Sequence, residues 1–100
     1  MVKEVFWTNF AKNELKNIFK YYELNASRKV AFDLVEGILN KGYSLKFQTN
    51  IGQKEDWKEN FRYLVFKNYK IIYWLNTEKD RVEITDVFDA RQNPIKLKRQ

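Results

Sequence analysis

Two periods of apolar spacing divide the chain. In the first half, Ala11, Leu15, Ile18, Phe19 and Tyr22 recur at helical spacing, with Lys12, Asn13, Lys16, Asn17 and Lys20 on the opposite side. That pattern predicts an amphipathic helix of about four turns. Thr8 stands where an N-cap belongs, its hydroxyl able to accept from the first free amides. Leu24 to Ser27 breaks the pattern, and Asn25 or Ser27 is available to cap a second helix with the stripe Val30, Leu34, Val35, Ile38 and Leu39. Lys41-Gly42 is expected to end it, with a cation at the negative end of the dipole and glycine in the left-handed conformation. Helices joined so briefly form an antiparallel pair. Ahead of them, Lys3 to Trp7 reads as a short strand with Val5 and Trp7 on one side.

From Phe61 onward the period changes to alternation. Phe61, Tyr63 and Val65 alternate with Arg62, Leu64 and Phe66, and Tyr69, Ile71, Tyr73 and Leu75 alternate with Lys70, Ile72 and Trp74. Both runs are dense in β-branched and aromatic residues, as strands are. Lys67-Asn68 is the polar interruption of a hairpin, and Asn68 is the residue expected to tolerate a left-handed turn position. Asn76 to Asp80 forms a second turn; Val82 and Ile84 then resume the alternation, which slips at Val87 and predicts a bulge near Thr85-Asp86. Tyr43 to Asn60 follows neither period, and a loop of that length needs anchors. Leu45, Phe47, Ile51 and Trp57 are the candidates, with Gly52 marking a turn.

The expected fold class is therefore α+β, in the order β-α-α-β-β-β. A helical hairpin, residues about 8 to 42, packs on one face of an antiparallel sheet built mainly from residues about 61 to 88. Tyr69, Ile71, Tyr73 and Leu75 are expected under the helices. Arg62, Leu64, Lys70, Ile72, Trp74 and Glu83 are expected on the open face. An open face mixing apolar and basic residues points to a partner.

Composition narrows the chemistry. The chain of 100 residues has the size of one domain, spanning 1–100, with no repeat or linker. Its 17% aromatic content supplies much of the buried area. Without cysteine there is no disulfide or thiolate chemistry, and without histidine the commonest metal ligand and general base are missing. Glu83 and Asp86 do not form a metal-site spacing, so neither metal nor cofactor is expected. No apolar run matches a membrane span and no signal-peptide pattern opens the chain, so a cytoplasmic protein is expected. A formal charge of +6 favours a polyanion or an acidic protein as partner.

The ordered set of motifs resembles the toxins of the ParE/RelE superfamily from bacterial type II toxin-antitoxin (plasmid stabilisation) systems. The similarity runs through Trp7, Thr8, Ala11, Leu15, Ile18 and Tyr21, then Ala31, the FRYLV strand from Phe61, the YKIIY strand from Tyr69, and VFDARQNP from Val87. Two features depart from the family pattern. Asn50-Ile51-Gly52 lacks the proline often found there, and no tyrosine or histidine follows the last strand, where Leu97 stands instead. The ending Arg91-Gln92-Asn93-Pro94 is closer to the ParE branch, which acts by poisoning DNA gyrase. The RelE branch cleaves messenger RNA on the ribosome.

The resemblance implies a growth-inhibiting toxin that binds a host target such as DNA gyrase and is neutralised by a cognate antitoxin. Its alternatives are a ribosome-dependent endoribonuclease, or a non-toxic basic interaction domain of the same fold. Candidate target- or antitoxin-binding residues are Arg62, Lys70, Trp74, Arg91, Lys96 and Lys98. Arg62 and Lys70 form a phosphate or carboxylate clamp if they share a face. Trp74 is available to stack, and Arg91 to be presented beyond the last strand unless Asp89 or Glu83 pairs with it. In the nuclease alternative Arg62, Lys70 and Arg91 are the catalytic candidates. A lysine between cations, or a Glu83 with raised pKa, would then move the proton.

Overall fold

The computed structural model describes residues 3–50, 52–54 and 60–91. Strand β1 (Glu4–Trp7) leads into α1 (Asn9–Asn25) and α2 (Arg28–Tyr43), followed by a single 3-10 turn (Ser44–Lys46). Strands β2 (Gln53–Lys54), β3 (Phe61–Phe66), β4 (Tyr69–Asn76) and β5 (Arg81–Asp89) complete the order. The sheet runs β1-β5-β4-β3-β2, antiparallel except where β1 lies parallel to β5. The α+β hairpin-on-sheet expectation therefore holds, β1 included, with the short edge strand β2 added to it.

The helices start where their caps are. Thr8 Oγ1 accepts from the Ala11 amide at 3.2 Å, and Ser27 Oγ from the Val30 amide at 3.1 Å. Each satisfies one of the amides a helix start leaves free. Ala11, Leu15, Leu34 and Ile38 are buried against Leu64, Tyr69, Ile71, Tyr73, Val82, Ile84 and Val87, with Trp7 and Leu45 closing one end. Fully burying an aliphatic side chain stabilises by about 1.5–3 kcal/mol, so this cluster is the main source of stability.

Several sequence expectations change. α2 runs through Gly42 to Tyr43, and no glycine among the described residues has positive φ. Gly42 is there for close approach instead: a Cβ would lie 2.5 Å from Trp7 Cζ2 and 2.9 Å from Ile84 Cδ1. Gly52, expected to mark a turn, stands at a bend, and it too permits close approach, since a Cβ there would lie 2.6 Å from the Tyr63 carbonyl oxygen. In the hairpin the positive φ falls on Lys67, at 55°, and not on Asn68. Val30 and Leu75, expected in the apolar stripe and under the helices, are 45% and 37% exposed, and Val30 lines an open groove beside Tyr69. Of the middle-loop anchors Leu45 is fully buried and Phe47 is 65% exposed; Ile51 and Trp57 lie outside the described residues.

The largest correction concerns the faces of the sheet. The two-residue turn pairs Phe66 with Tyr69, so Leu64 lies beside Ile71 and Arg62 beside Tyr73. Cross-strand partners share a face. Arg62 and Leu64 thus sit on the helix side, and the far side carries Phe61, Tyr63 and Val65 with Trp74, Ile72 and Lys70. Nor is that far side open at its centre, where Ile72 and Asp86 are fully buried and Phe88 nearly so. The bulge is found as expected: Ile72 pairs with Asp86 but Tyr73 with Ile84, leaving Thr85 as the extra residue.

Gly42→Ala tests the close contact of α2 with Trp7. Alanine in a helix is favoured by about 1 kcal/mol over glycine. Overpacking against an indole that is 4% exposed opposes it by about 1–3 kcal/mol. The expected result is a net loss of stability in urea denaturation; a gain would mean that Trp7 moves aside freely.

Candidate functional site

The structure divides the candidate residues among three places. Lys70 and Trp74 share the far face of the sheet. There Lys70 Nζ lies 3.9 Å from the centroid of the Tyr63 ring, and Trp74 stacks on Phe61 with centroids 6.0 Å apart and planes at 26°. Tyr63 in turn donates its hydroxyl hydrogen to Gln53 Oε1 at 3.0 Å. The result is a row of half-buried rings with one cation among them.

Arg62, on the other face, holds the middle loop. Its Nη1 donates to the Gly52 carbonyl at 2.8 Å, while the Gly52 amide donates to the Tyr73 hydroxyl at 3.0 Å. Burial pushes the Tyr73 phenol up, and the Gly52 bond and the Arg62 charge only partly offset this. Arg62 and Lys70 therefore form no joint clamp, since the sheet stands between them.

Arg91 occupies the third place, just past β5. Its Nε and Nη2 reach the two oxygens of Asp89 at 3.2 and 3.1 Å, and its amide donates to Asp89 Oδ1 at 2.9 Å. The predicted ion pair with Asp89 is thus present, while Glu83 pairs with Arg81 at 2.9 Å. The Arg91 side chain is still 68% exposed, so its outer edge remains available. Lys96 and Lys98 lie outside the described residues.

Arg91 lines a groove of 380 Å³ between α1 and β5, together with Glu14, Asn17, Tyr21, Tyr22 and Tyr69. The Tyr69 hydroxyl lies 3.4 Å from that of Tyr22. Those two side chains form a wall shared with a second groove of 280 Å³, which Asp33, Leu34, Lys67 and Asn68 also line. Sequence reasoning missed Tyr22 and Tyr69 as site residues because both were assigned to the core. Their phenolic oxygens were the available signal, since a buried tyrosine hydroxyl seeks a partner.

The electrostatics do not tune Asp89, Glu83 or Tyr69 for proton transfer at neutral pH. Hydrogen bonds from Arg91 hold the Asp89 carboxyl below its usual range, against the effect of burial. Burial pushes Glu83 up, but bonds from Arg81 and Asn76 outweigh it and hold its pKa low, the reverse of what a general base here would need. Tyr69 is driven well above the ordinary phenol range by burial and then by its Tyr22 contact, and stays protonated. Among the described residues no carboxylate cluster is arranged to hold a metal ion. No described helix is long and apolar enough to cross a membrane.

Comparisons with known proteins agree with the fold. Residues 5–94 match the family described as the ParE toxin of type II toxin-antitoxin system, parDE. Among solved structures, a chain of the chromosomal ParDE TA system from P. aeruginosa superposes with a TM-score of 0.80 at 16% identity, covering 90% of this chain and 98% of that one. No curated protein sequence matches.

Because Asp89 and Glu83 are both held below their ordinary pKa, each contributes stability above its unfolded-state pKa, lost as pH falls through the folded-state value. Urea midpoints measured from neutrality down to about pH 3 should fall for the wild type. Asp89→Asn should be less stable at neutrality and lose less on acidification. Parallel profiles would show that Arg91 gives Asp89 no such advantage.

Proposed function

The chain belongs to the ParE toxin family of type II toxin-antitoxin systems, and from that premise we propose that it inhibits growth by binding a host protein, DNA gyrase. A cognate antitoxin neutralises it, and the site of action is the cytoplasm. One observation carries the preference for binding over RNA cleavage: the three cations a nuclease would need to gather stand apart. Lys70 lies on the far face, Arg62 is bonded to Gly52 on the helix face, and Arg91 is paired with Asp89 at the end of β5.

Cleaving RNA through its 2′-hydroxyl also needs a proton acceptor and a donor for the leaving oxygen. The chain has no histidine, and the carboxylates Glu83 and Asp89 are held ionised by cationic neighbours. Those features suit a surface that docks. The groove beside Arg91, flanked by Tyr21 and Tyr22, is the proposed antitoxin contact. Its occupant is a partly disordered, acidic-amphipathic segment that folds on binding and sets a carboxylate against the exposed edge of Arg91.

Purified protein added to a translation extract should leave messenger 5′ ends intact, and added to gyrase should inhibit DNA supercoiling. Codon-phased cuts that vanish in Lys70→Ala would overturn the binding reading. For the antitoxin, Arg91→Glu should slow association and flatten its salt dependence, since a rim charge acts mainly on the encounter rate. Unchanged kinetics would move the docking site away from this groove.

A further inference from the structure

The outer face of α1 has no role in the fold or in the surfaces described above. Lys12, Lys16 and Lys20 stand on it at successive intervals of four residues, all exposed, with exposed Asn9 and Asn13 alongside. On a helix that interval is about 6 Å of rise, so the three ammonium groups form a ridge roughly 12 Å long. The ridge faces away from Ala11, Leu15, Ile18 and Tyr22, which turn toward the core.

Its charges are arranged against helix stability. Lysines at i,i+4 repel one another, and here two such pairs follow in sequence. None of the three lysines forms an ion pair with a described residue, whereas on α2 Lys29 meets Asp33 at 2.8 Å at the same spacing. The macrodipole favours acids in the first turn and bases in the last; α1 has neither. Its acidic residues are Glu14, turned to the β5 groove, and Glu23, three residues beyond Lys20 near the C-terminal end. A rigid cationic row maintained at some cost to its own helix is suited to a regularly charged anion.

We propose that this face of α1 binds double-stranded DNA through its phosphate backbone, independently of sequence. Lysine and asparagine are both phosphate- and sugar-contacting residues, and they supply the register of a protein on a duplex. A single-strand binder interleaves its cations with aromatic rings for stacking. Here asparagines occupy those positions, and the Tyr21 ring belongs to the groove beside β5. The B-form major groove, about 12 Å wide, admits an α-helix, while the narrow A-form groove of RNA does not. The proposal does not depend on which host protein the toxin binds.

The test is fluorescence anisotropy of a labelled, arbitrary-sequence DNA duplex of about 20 base pairs, titrated with the full chain between about 50 and 200 mM salt. Three phosphate contacts predict a log–log salt slope of about −2.7, or roughly 40-fold weaker binding across that range. The variant K12Q/K16Q/K20Q should lose at least tenfold in affinity at the lower salt and most of the slope, with an unchanged circular dichroism spectrum. A charge-matched control, K29Q/K41Q/K46Q, removes three exposed cations elsewhere and should bind as the wild type does. Equal losses in both triple variants would show diffuse attraction to net charge and overturn the proposal. So would tighter binding to a single strand or RNA duplex of the same length, or no duplex binding at the lower salt.

Discussion

The two-residue turn at Lys67-Asn68 is the constraint on which the rest of the sheet depends. Pairing Phe66 with Tyr69 leaves no freedom further along, because each step back on β3 is matched by a step forward on β4. A slip of one residue would send Leu64 and Phe66 to the side without helices and expose them there. The turn is held by a lysine with φ of 55° and by the Ala90 amide, which donates to the Asn68 carbonyl at 2.8 Å. A non-glycine residue in that region costs some strain. Two aromatic-rich strands closing on a common core offset it.

At the other side of β4 the bulge at Thr85 makes a second adjustment, and the start of the chain is fitted to it. Thr8 donates its amide to the Ile84 carbonyl at 3.0 Å and its hydroxyl hydrogen to the Thr85 carbonyl at 3.4 Å, while the same hydroxyl caps α1. The direction in which α1 leaves the sheet is therefore tied to where β5 changes register. Trp7, the last residue of β1, fills the notch at Gly42, so the far end of the helical hairpin is set by the same few residues. Lys3 and Asp80 form an ion pair, and Arg81 lies over the Phe6 ring at 3.8 Å. Together they anchor the parallel edge strand, whose four residues alone form a short ladder.

Charge is sorted by this framework into neutralised and unneutralised sets. Arg81 with Glu83 and Arg91 with Asp89 are neutralised within β5 and its exit. Lys12, Lys16 and Lys20 of α1, by contrast, form no ion pair among the described residues. The groove at Arg91 and the lysine ridge lie on different sides of α1, and the ring-lined far face lies across the sheet from both.

The amino-acid sequence by itself determined the elements and their order, since helical and alternating periods are local properties of the chain. Thr8 was legible as a cap for the same reason, Ser27 only as one of two candidates with Asn25, and the slip between Ile84 and Val87 announced the bulge. Even the register of the hairpin was implicit in its two-residue turn, yet counting outward from it was needed to see that Arg62 meets Tyr73 and not Lys70. What only the tertiary structure decided were matters of long-range contact. Gly42 looked like a helix terminator until Trp7, 35 positions earlier, came against it. Tyr22 and Tyr69 read as plain core until their hydroxyls met across 47 positions of chain to divide two grooves. The parallel pairing of β1 with β5 has no local signature, because a parallel ladder joins segments that the chain separates by whole helices. Periodicity reports which side of an element is apolar; only packing decides which distant surface that side meets.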